Sequence, residues 1–234
     1  MTNQRFIYGK YQYDYFLIPE ARKTFSLTVN PKSEIIVKCP RGTQQDRIEV
    51  FLRKKWLWLN KQLNCFQKYS KRLYPREYVS GEGFYYLGRQ YQLIVKRGSR
   101  ESVSLVHGKI TITTKKPVVD GIHNKQLLSK WLLERMAVIF QERLAVMIEK
   151  FGYKNLPKIV IREMPKRWGS YSSQDKVILN PRLIHAPKDC IDYVITHELC
   201  HFKHKNHGKK FFALLDAKHR NWEAVKEKLE CRFG

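Results

Sequence analysis

The residues with the clearest capacity for chemistry lie near the C-terminus, in the segment His197-Glu198-Leu199-Cys200-His201. This is an H-E-x-x-H pattern. On a helix, residues i and i+4 stand one above the other, so two imidazoles can bind one Zn²⁺ ion at about 2.0–2.1 Å each. Glu198 then lies beside the metal, where its carboxylate can take a proton from water. The pattern therefore predicts a zinc site with a glutamate general base.

The sequence around this motif predicts a helix that opens at Pro187, because proline is tolerated in the first turn. The apolar stripe of this helix is formed by Ile191, Ile195, Leu199 and Phe202. His197 and His201 fall on a different face, about a third of a turn away. Two histidines buried in a core would fit this geometry poorly, so metal binding is the favoured interpretation.

A catalytic zinc site needs a third protein ligand and an open position. His204 follows His197 by seven residues, so a continuous helix would carry it about 10.5 Å further along the axis. His207 can return to the metal if the helix breaks first. Asn206 tolerates left-handed backbone, and Gly208 can open the next helix. We therefore expect His197, His201 and His207 to be the ligands, with His204 as a surface or outer residue.

The overall charge is the strongest compositional signal. The 234 residues contain 45 Lys and Arg against 21 Asp and Glu, which gives a net charge of +24. Both halves of the chain carry the excess, so it is not a basic tail. Such a charge favours phosphate backbones or acidic protein surfaces as partners, and a merely soluble basic surface is the alternative.

The apolar composition indicates a folded, non-membrane protein. Apolar runs do not exceed five residues, whereas a membrane-spanning helix needs about twenty. No apolar segment in the first twenty residues suggests a secretory signal. Five scattered cysteines without a C-x-x-C pair argue against a disulfide scaffold. We therefore expect a cytoplasmic location.

The hydrophobic pattern predicts an α+β protein with two regions. Residues 1–120 are expected to form a β-rich antiparallel region with one helix, and residues 121–234 the region that contains the histidine motif. Alternation in the first region predicts three hairpins, with the turns Asn30–Ser33, Gly88-Arg89 and His107-Gly108. In the second region we expect a long helix over 124–151, a strand over 158–162 and a hairpin over 169–180. No internal repeat is visible.

The helix of the first region begins after the start signal Thr43-x-x-Asp46 and is rich in basic residues and tryptophan. Basic side chains that alternate with aromatic rings can bind nucleic acid by phosphate contact and stacking. The favoured alternative is that Trp56 and Trp58 pack against the sheet while the lysines are solvated. Residues 47–76 are therefore a candidate nucleic-acid surface only.

The motifs resemble those of the YgjP-like zinc metallopeptidases, a compact H-E-x-x-H zincin family related to SprT-like and WLM domains. The resemblance covers nearly the whole chain. It rests on the histidine motif with Asn206-His207, and on three further groups of residues. These are Gly81-Glu82 with Phe84–Gly88, Arg167–Ser170 with Ser172, and Leu179-Asn180 with Arg182-Leu183. Where the family often has cysteine, this chain has Tyr171.

The resemblance implies a minimal zincin-like metalloprotease domain in which His197, His201 and His207 bind Zn²⁺ and Glu198 is the general base. The expected reaction is hydrolysis of a peptide or protein substrate through a metal-activated water. The hairpin over 169–180 can supply an edge strand to which the substrate adds. An oxyanion stabiliser is also required, and the sequence does not choose among Arg167, Tyr171 and His219.

A second hypothesis comes from a different class: a zinc-stabilised nucleic-acid-binding module with little turnover. The two hypotheses also combine, as a protease recruited to DNA-bound proteins, by analogy with the SprT-like group. Glu198 discriminates between them, because a structural zinc site needs no glutamate beside its first histidine and closes its fourth position with protein.

Overall fold

The computed structural model describes residues 2–30, 32–69, 76–172 and 175–233. The α+β prediction is confirmed. The chain forms two compact units, residues 1–74 and 75–233, and not the predicted regions 1–120 and 121–234. The division comes earlier because side chains from residues 84–112 share one hydrophobic core with the helices that follow.

The first unit is a four-stranded sheet with one helix. Its strands are β1 (Thr2–Tyr8), β2 (Tyr11–Glu20), β3 (Ser26–Val29) and β4 (Ile35–Pro40), and its helix is α1 (Gln45–Tyr69). The predicted hairpin of β3 and β4 is confirmed, although Pro31 of its turn lies outside the described residues. Alternate side chains of the sheet pack on Ile48, Leu52, Leu59 and Leu63 of α1.

The second unit opens with another four-stranded sheet. Its strands are β5 (Gly83–Tyr86), β6 (Arg89–Arg97), β7 (Ser102–Val106) and β8 (Lys109–Thr114). Both predicted hairpins are present, but the turn of the first is Leu87-Gly88 and not the predicted Gly88-Arg89, because Arg89 already pairs with Tyr86. The two-residue turn His107-Gly108 has φ values of 48° and 73°, and positive φ at both positions matches the twist of the flanking strands.

The two four-stranded sheets have the same topology. Their orders are β1-β2-β4-β3 and β5-β6-β8-β7, and a helix follows each. In each sheet the fourth strand lies between the second strand and the third strand, which is its own hairpin partner. As a result, β2–β4 and β6–β8 are parallel pairs. The region is therefore mixed and not antiparallel throughout. This structural repeat has no visible counterpart in the sequence, because different apolar side chains fill equivalent positions.

The remaining elements complete the second unit and include those that line the candidate site. They are α2 (Gly121–Phe151), β9 (Lys158–Ile161), β10 (Gly169–Ser172), β11 (Lys176–Leu179), a 3₁₀ helix (Pro181–His185), α3 (Lys188–Cys200), α4 (Lys209–Lys218) and α5 (Trp222–Phe233). Gly152 ends α2 in the left-handed conformation, as its position predicts. None of the described helices is long and apolar enough to cross a membrane.

A three-stranded sheet and helix α3 form the frame of the site. The strand order is β10-β11-β9, with β10 antiparallel to β11 and β11 parallel to β9. Residues 173 and 174 of the predicted hairpin lie outside the described residues. Helix α3 is buried along most of its length and packs against α2, α4, α5 and β10. A helix enclosed in this way holds its side chains in fixed positions.

Candidate active site

The histidine motif occupies the last turn of α3. Pro187 is the N-cap, the helix ends at Cys200, and His201 is the C-cap. The apolar side chains Ile191, Ile195 and Leu199 are completely buried, which fixes the rotation of the helix. His197 and His201 therefore point away from the core on a common face.

The chain then turns back towards this face. Gly208 is the N-cap of α4, so the helix break predicted before His207 is present. One ligand atom from each of His197, His201 and His207 lies within 4.8 Å of the other two. His204 does not join them, and its carbonyl oxygen instead lies 3.0 Å from Nδ1 of His201.

The three imidazoles have the properties of a metal-binding set. Nε2 of His197 and Nε2 of His207 are 3.0 Å apart, which brings together two atoms that can both bind one cation. The bond to His204 occupies Nδ1 of His201 and leaves its Nε2 free as a ligand. Nδ1 of His197 is buried without a hydrogen-bond partner in the described part of the chain. The residues present thus fit a divalent metal.

Burial keeps the imidazole of His197 neutral, which is the form that binds metals. It lowers the pKa of His197 to about 3, and the neighbouring imidazoles of His201 and His207 act in the same direction. Burial also lowers the pKa of His207, although this side chain is the most exposed of the three.

Phe211 of α4 packs against all three imidazoles. Its ring is fully buried, and its centroid lies 5.0, 4.8 and 4.6 Å from those of His197, His201 and His207. No sequence pattern singled out this residue, because an apolar residue in a helix is expected in any core. Phe211 ties the loop with His207 to helix α3.

Glu198 lies next to the histidines and is only 6% exposed. Burial raises its pKa to about 7, while a hydrogen bond from the backbone of Tyr171 and the positive charge of Arg167 act in the opposite direction. Gly169 allows the close approach of β10: a Cβ atom there would lie 2.8 Å from Oε1 of Glu198. The carboxyl group is thus enclosed between α3 and β10.

A cleft of about 840 Å³ opens over these groups. It is lined by residues 166–171 and by side chains of α3, the loop after it and α5. Strand β10 is at the edge of its sheet, and within the described residues no strand pairs with its outer side. The backbone N–H of Tyr171 in this strand already donates to Glu198, and the other backbone groups of the edge are available to an extended peptide.

Two of the three candidate oxyanion stabilisers lie in the cleft, and the third does not. Arg167 and Tyr171 line the cleft, whereas His219 is buried, is not part of the described lining and bonds to Asp189. Tyr193, which sequence reasoning missed, also lines the cleft one helical turn before His197, with ring centroids 6.1 Å apart. The i, i−4 spacing from His197 is the signal that would have found it.

Comparison with known families agrees with this arrangement. The family model described as "YgjP-like, metallopeptidase domain" matches residues 23–232. The chain belongs to the YgjP-like metallopeptidase family. The match includes β10, α3, α4 and nearly all of α5, which are the elements that carry the candidate active site.

Two solved structures resemble part of this YgjP-like chain. They are the metallopeptidase zymogens abylysin of Pyrococcus abyssi and jannalysin of Methanocaldococcus jannaschii. The identities are 22% and 25%, and the TM-score is 0.35 for both. Each match covers 39% of this chain, and 89% and 91% of the neighbours' chains. Among curated proteins, none matches.

Proposed function

We propose that this protein is a zinc-dependent metallopeptidase that hydrolyses peptide bonds with Glu198 as general base. The observation that carries the proposal is the convergence of three imidazoles and one buried carboxyl group beside a free strand edge. A structural zinc site would have no reason to keep a carboxyl group and an open cleft on one side.

His197, His201 and His207 would hold the zinc ion, and a donor set of three imidazole nitrogens suits zinc among the divalent metals. When bound, zinc polarises a carbonyl group and lowers the pKa of a water molecule towards neutrality. The residues around it have separate tasks. His201 is oriented by the carbonyl oxygen of His204, and Phe211 holds the third histidine in place.

Glu198 moves the protons of the reaction. Its carboxylate accepts a proton from the attacking water and delivers it to the nitrogen of the leaving amine. Burial raises the pKa of Glu198 to about 7, and a cation held by the three histidines would lower it again, which favours the carboxylate that accepts the proton. The backbone of Tyr171 orients the carboxylate through its hydrogen bond.

The substrate would lie along β10 as an added strand. Main-chain hydrogen bonds to the outward-facing groups of β10, apart from the Tyr171 N–H that Glu198 occupies, would position the peptide, and alternate side chains would enter the cleft. Tyr171 and Arg167 reach the cleft from this strand and the segment before it, so both remain candidates for the developing oxyanion.

The decisive experiment compares wild type with Glu198→Gln, each loaded with zinc. We expect the variant to keep one zinc per chain and the wild-type fold but to lose about 10²- to 10⁴-fold in peptide cleavage, the range for a general base. Glu134→Gln, an exposed change on α2, is the control and should retain full activity. In His207→Ala, elemental analysis should find the zinc lost or weakly held. Full activity in Glu198→Gln would refute the proposed role.

Nucleic-acid binding by the first unit is a second candidate, favoured by an aromatic cluster. Trp56 of α1 packs against Tyr8 and Tyr11, with ring centroids 4.7 and 5.5 Å apart. Both tyrosines remain more than a third exposed, and the amino group of Lys10 lies 5.6 Å from the Tyr11 ring. Exposed rings beside a cation can stack on bases of a single strand. This surface would recruit the peptidase to proteins bound to nucleic acid.

Fluorescence anisotropy with labelled oligothymidylate at increasing salt tests this candidate. We expect Tyr8→Ala with Tyr11→Ala to weaken binding about tenfold or more, since stacking contributes roughly 1–3 kcal/mol per base. Lys130→Ala on α2 is the control for lost charge. If the tyrosine variant bound the oligonucleotide as tightly as wild type, and binding were lost at moderate salt, only unspecific electrostatic attraction would remain. The cytoplasmic location predicted from the sequence stays a prediction.

A further inference from the structure

The cleft has a different character at the two ends of β10. Lys166 and Arg167 come immediately before the strand and line one end. At the other end Tyr171 packs against Phe202, with ring centroids 4.2 Å apart, and both rings line the cleft. One end is therefore cationic and the other aromatic.

The cationic segment is held in place by a buried side chain. The amide nitrogen of Asn180 donates to the carbonyl oxygens of Met164 and Arg167 at 2.8 and 2.9 Å. The backbone of Asn180 donates to Trp168 at 2.9 Å, and Asn180 is only 2% exposed. Because the backbone is anchored on both sides of Lys166, little ordering is required when a ligand binds.

The positive charges of Lys166 and Arg167 have no carboxylate within ion-pair distance in the described part of the chain, although Arg167 is close enough to Glu198 to lower its pKa. Lys205 adds a further positive charge to the lining. The acidic groups in the lining are Glu198 and Glu230, and Glu230 is paired with Lys226 at 3.9 Å. The cleft is thus positive before any metal binds.

The direction of β10 determines which part of a peptide meets these cations. Gly169 lies against Val194 and Glu198, and Tyr171 against Phe202, so β10 runs in the same direction as α3. Antiparallel pairing is the more stable arrangement. A peptide paired antiparallel with β10 passes Tyr171 first, then Glu198, and reaches Arg167 with the residues that follow the scissile bond.

We propose that Lys166 and Arg167 form a subsite for an acidic side chain on the C-terminal side of the scissile bond. The preferred substrates are accordingly acidic peptides, with an apolar or aromatic residue before the bond that meets Tyr171 and Phe202. This inference rests on the proposed peptidase function and adds its substrate class. Both cations are solvent-exposed, so we expect each to favour the acidic side chain by up to about fivefold.

Cleavage of a defined peptide library tests the inference. Zinc-loaded protein is incubated with a degenerate synthetic library, and mass spectrometry of the products gives the residues on both sides of each cleaved bond. The test variant is Lys166→Glu with Arg167→Glu. The control variant, Lys130→Glu with Lys125→Glu, makes the same charge change on α2 at two residues outside the cleft lining.

We expect Asp and Glu to be enriched after the bond for wild type and the control, and Lys and Arg to replace them for the test variant. The overall rate of the test variant should also fall, because Arg167 is a candidate for the developing oxyanion and acts on Glu198. Cleavage with no charge preference would overturn the subsite and leave the peptidase function standing. An acidic preference that persists in the test variant would overturn the assignment to Lys166 and Arg167.

A binding measurement decides the inference even if the library is not cleaved, a result that would count against the proposed function itself. Zinc-loaded Glu198→Gln is titrated into two labelled peptides that differ only by Glu or Gln after a central phenylalanine. Tighter binding of the Glu peptide, by about fivefold or more and lost with the two charge reversals, supports the subsite. Equal binding of the two peptides refutes it.

Discussion

Replacement of Gly169 by alanine is the most direct way to disturb Glu198 without touching it. A methyl group at this position would lie 2.8 Å from Oε1 of Glu198, 2.8 Å from Cγ1 of Val194 and 3.0 Å from Cγ of Glu198. Ordinary contacts begin at 3.4 Å, so atoms must move by at least 0.6 Å, the difference between 3.4 and 2.8 Å.

The surroundings leave little room for this movement. Glu198 is enclosed, and Val194 belongs to the core face of α3. The added methyl must therefore displace the carboxylate or move β10 away from the helix. Overpacking of this kind costs about 1–3 kcal/mol in stability. This corresponds to a decrease in Tm of about 2–4 °C per kcal/mol for a unit of this size.

The effect on catalysis should exceed the effect on stability. A misplacement of about 1 Å in an active site can reduce the rate about 100-fold, so a shift of at least 0.6 Å should lower kcat/KM roughly 10- to 100-fold. Zinc content should be unchanged, because the three atoms nearest to the new methyl group belong to Glu198 and Val194 and not to a histidine. The assays are peptide cleavage, elemental analysis and thermal unfolding.

Gly83→Ala is the matched control. It also lies in a strand, but its new methyl group would meet the end of the exposed Gln90 side chain, which can rotate away. This variant should retain full activity. If Gly169→Ala also cleaved peptides at the wild-type rate, the close approach of β10 would not position Glu198, and our account of the site would be wrong.

Three further predictions concern metal affinity and stability. Phe211→Leu should lower the free energy of unfolding by less than about 1.5 kcal/mol. It should weaken zinc binding roughly tenfold in a chelator competition assay, because the loop with His207 loses the ring that supports it. An unchanged zinc affinity would contradict this prediction. Asp192→Asn should lower the free energy of unfolding by about 2–3 kcal/mol in urea titrations. It removes the negative charge and one of the two accepting oxygens of the bidentate pair with Arg143, whose two contacts of 2.6 Å join α2 to α3. A loss below about 0.5 kcal/mol would exclude that role. Burial lowers the pKa of His185, so the unfolded chain takes up a proton first as pH falls below about 6.5. Wild-type stability should therefore decrease from pH 7 to 5, and His185→Asn should lose less over the same range.

Local patterns explain the successful predictions. The two histidines of α3 are four residues apart, and any helix brings such residues to one face. The predicted break before His207 is present, but not for the predicted reason. Neither Asn206 nor Gly208 is left-handed, Gly208 has a φ of −88°, and α3 already ends at Cys200. The hairpins were predictable because turn residues and alternation are both short-range signals.

The mixed sheets and the division of the chain were not predictable in this way. Alternation in β4 and β8 gives each strand a buried face but does not specify its neighbour. The parallel pairs β2–β4 and β6–β8 arise only when a complete hairpin is placed beside another. Likewise, the division at residue 74 depends on which core the strands of residues 83–114 join.

The sequence by itself predicted which three histidines lie together and that the helix ends before His207, because these features depend on neighbours within about ten residues. Only the tertiary structure decided the environment of that set. Burial of Glu198 against Gly169, the anchoring of the Arg167 segment by Asn180, and the support from Phe211 join residues 13 to 29 positions apart, or bring separate helices together. Such contacts form only after the intervening chain has closed into a loop. The entropy lost on closing these loops is offset by packing of the whole unit and not by any local preference.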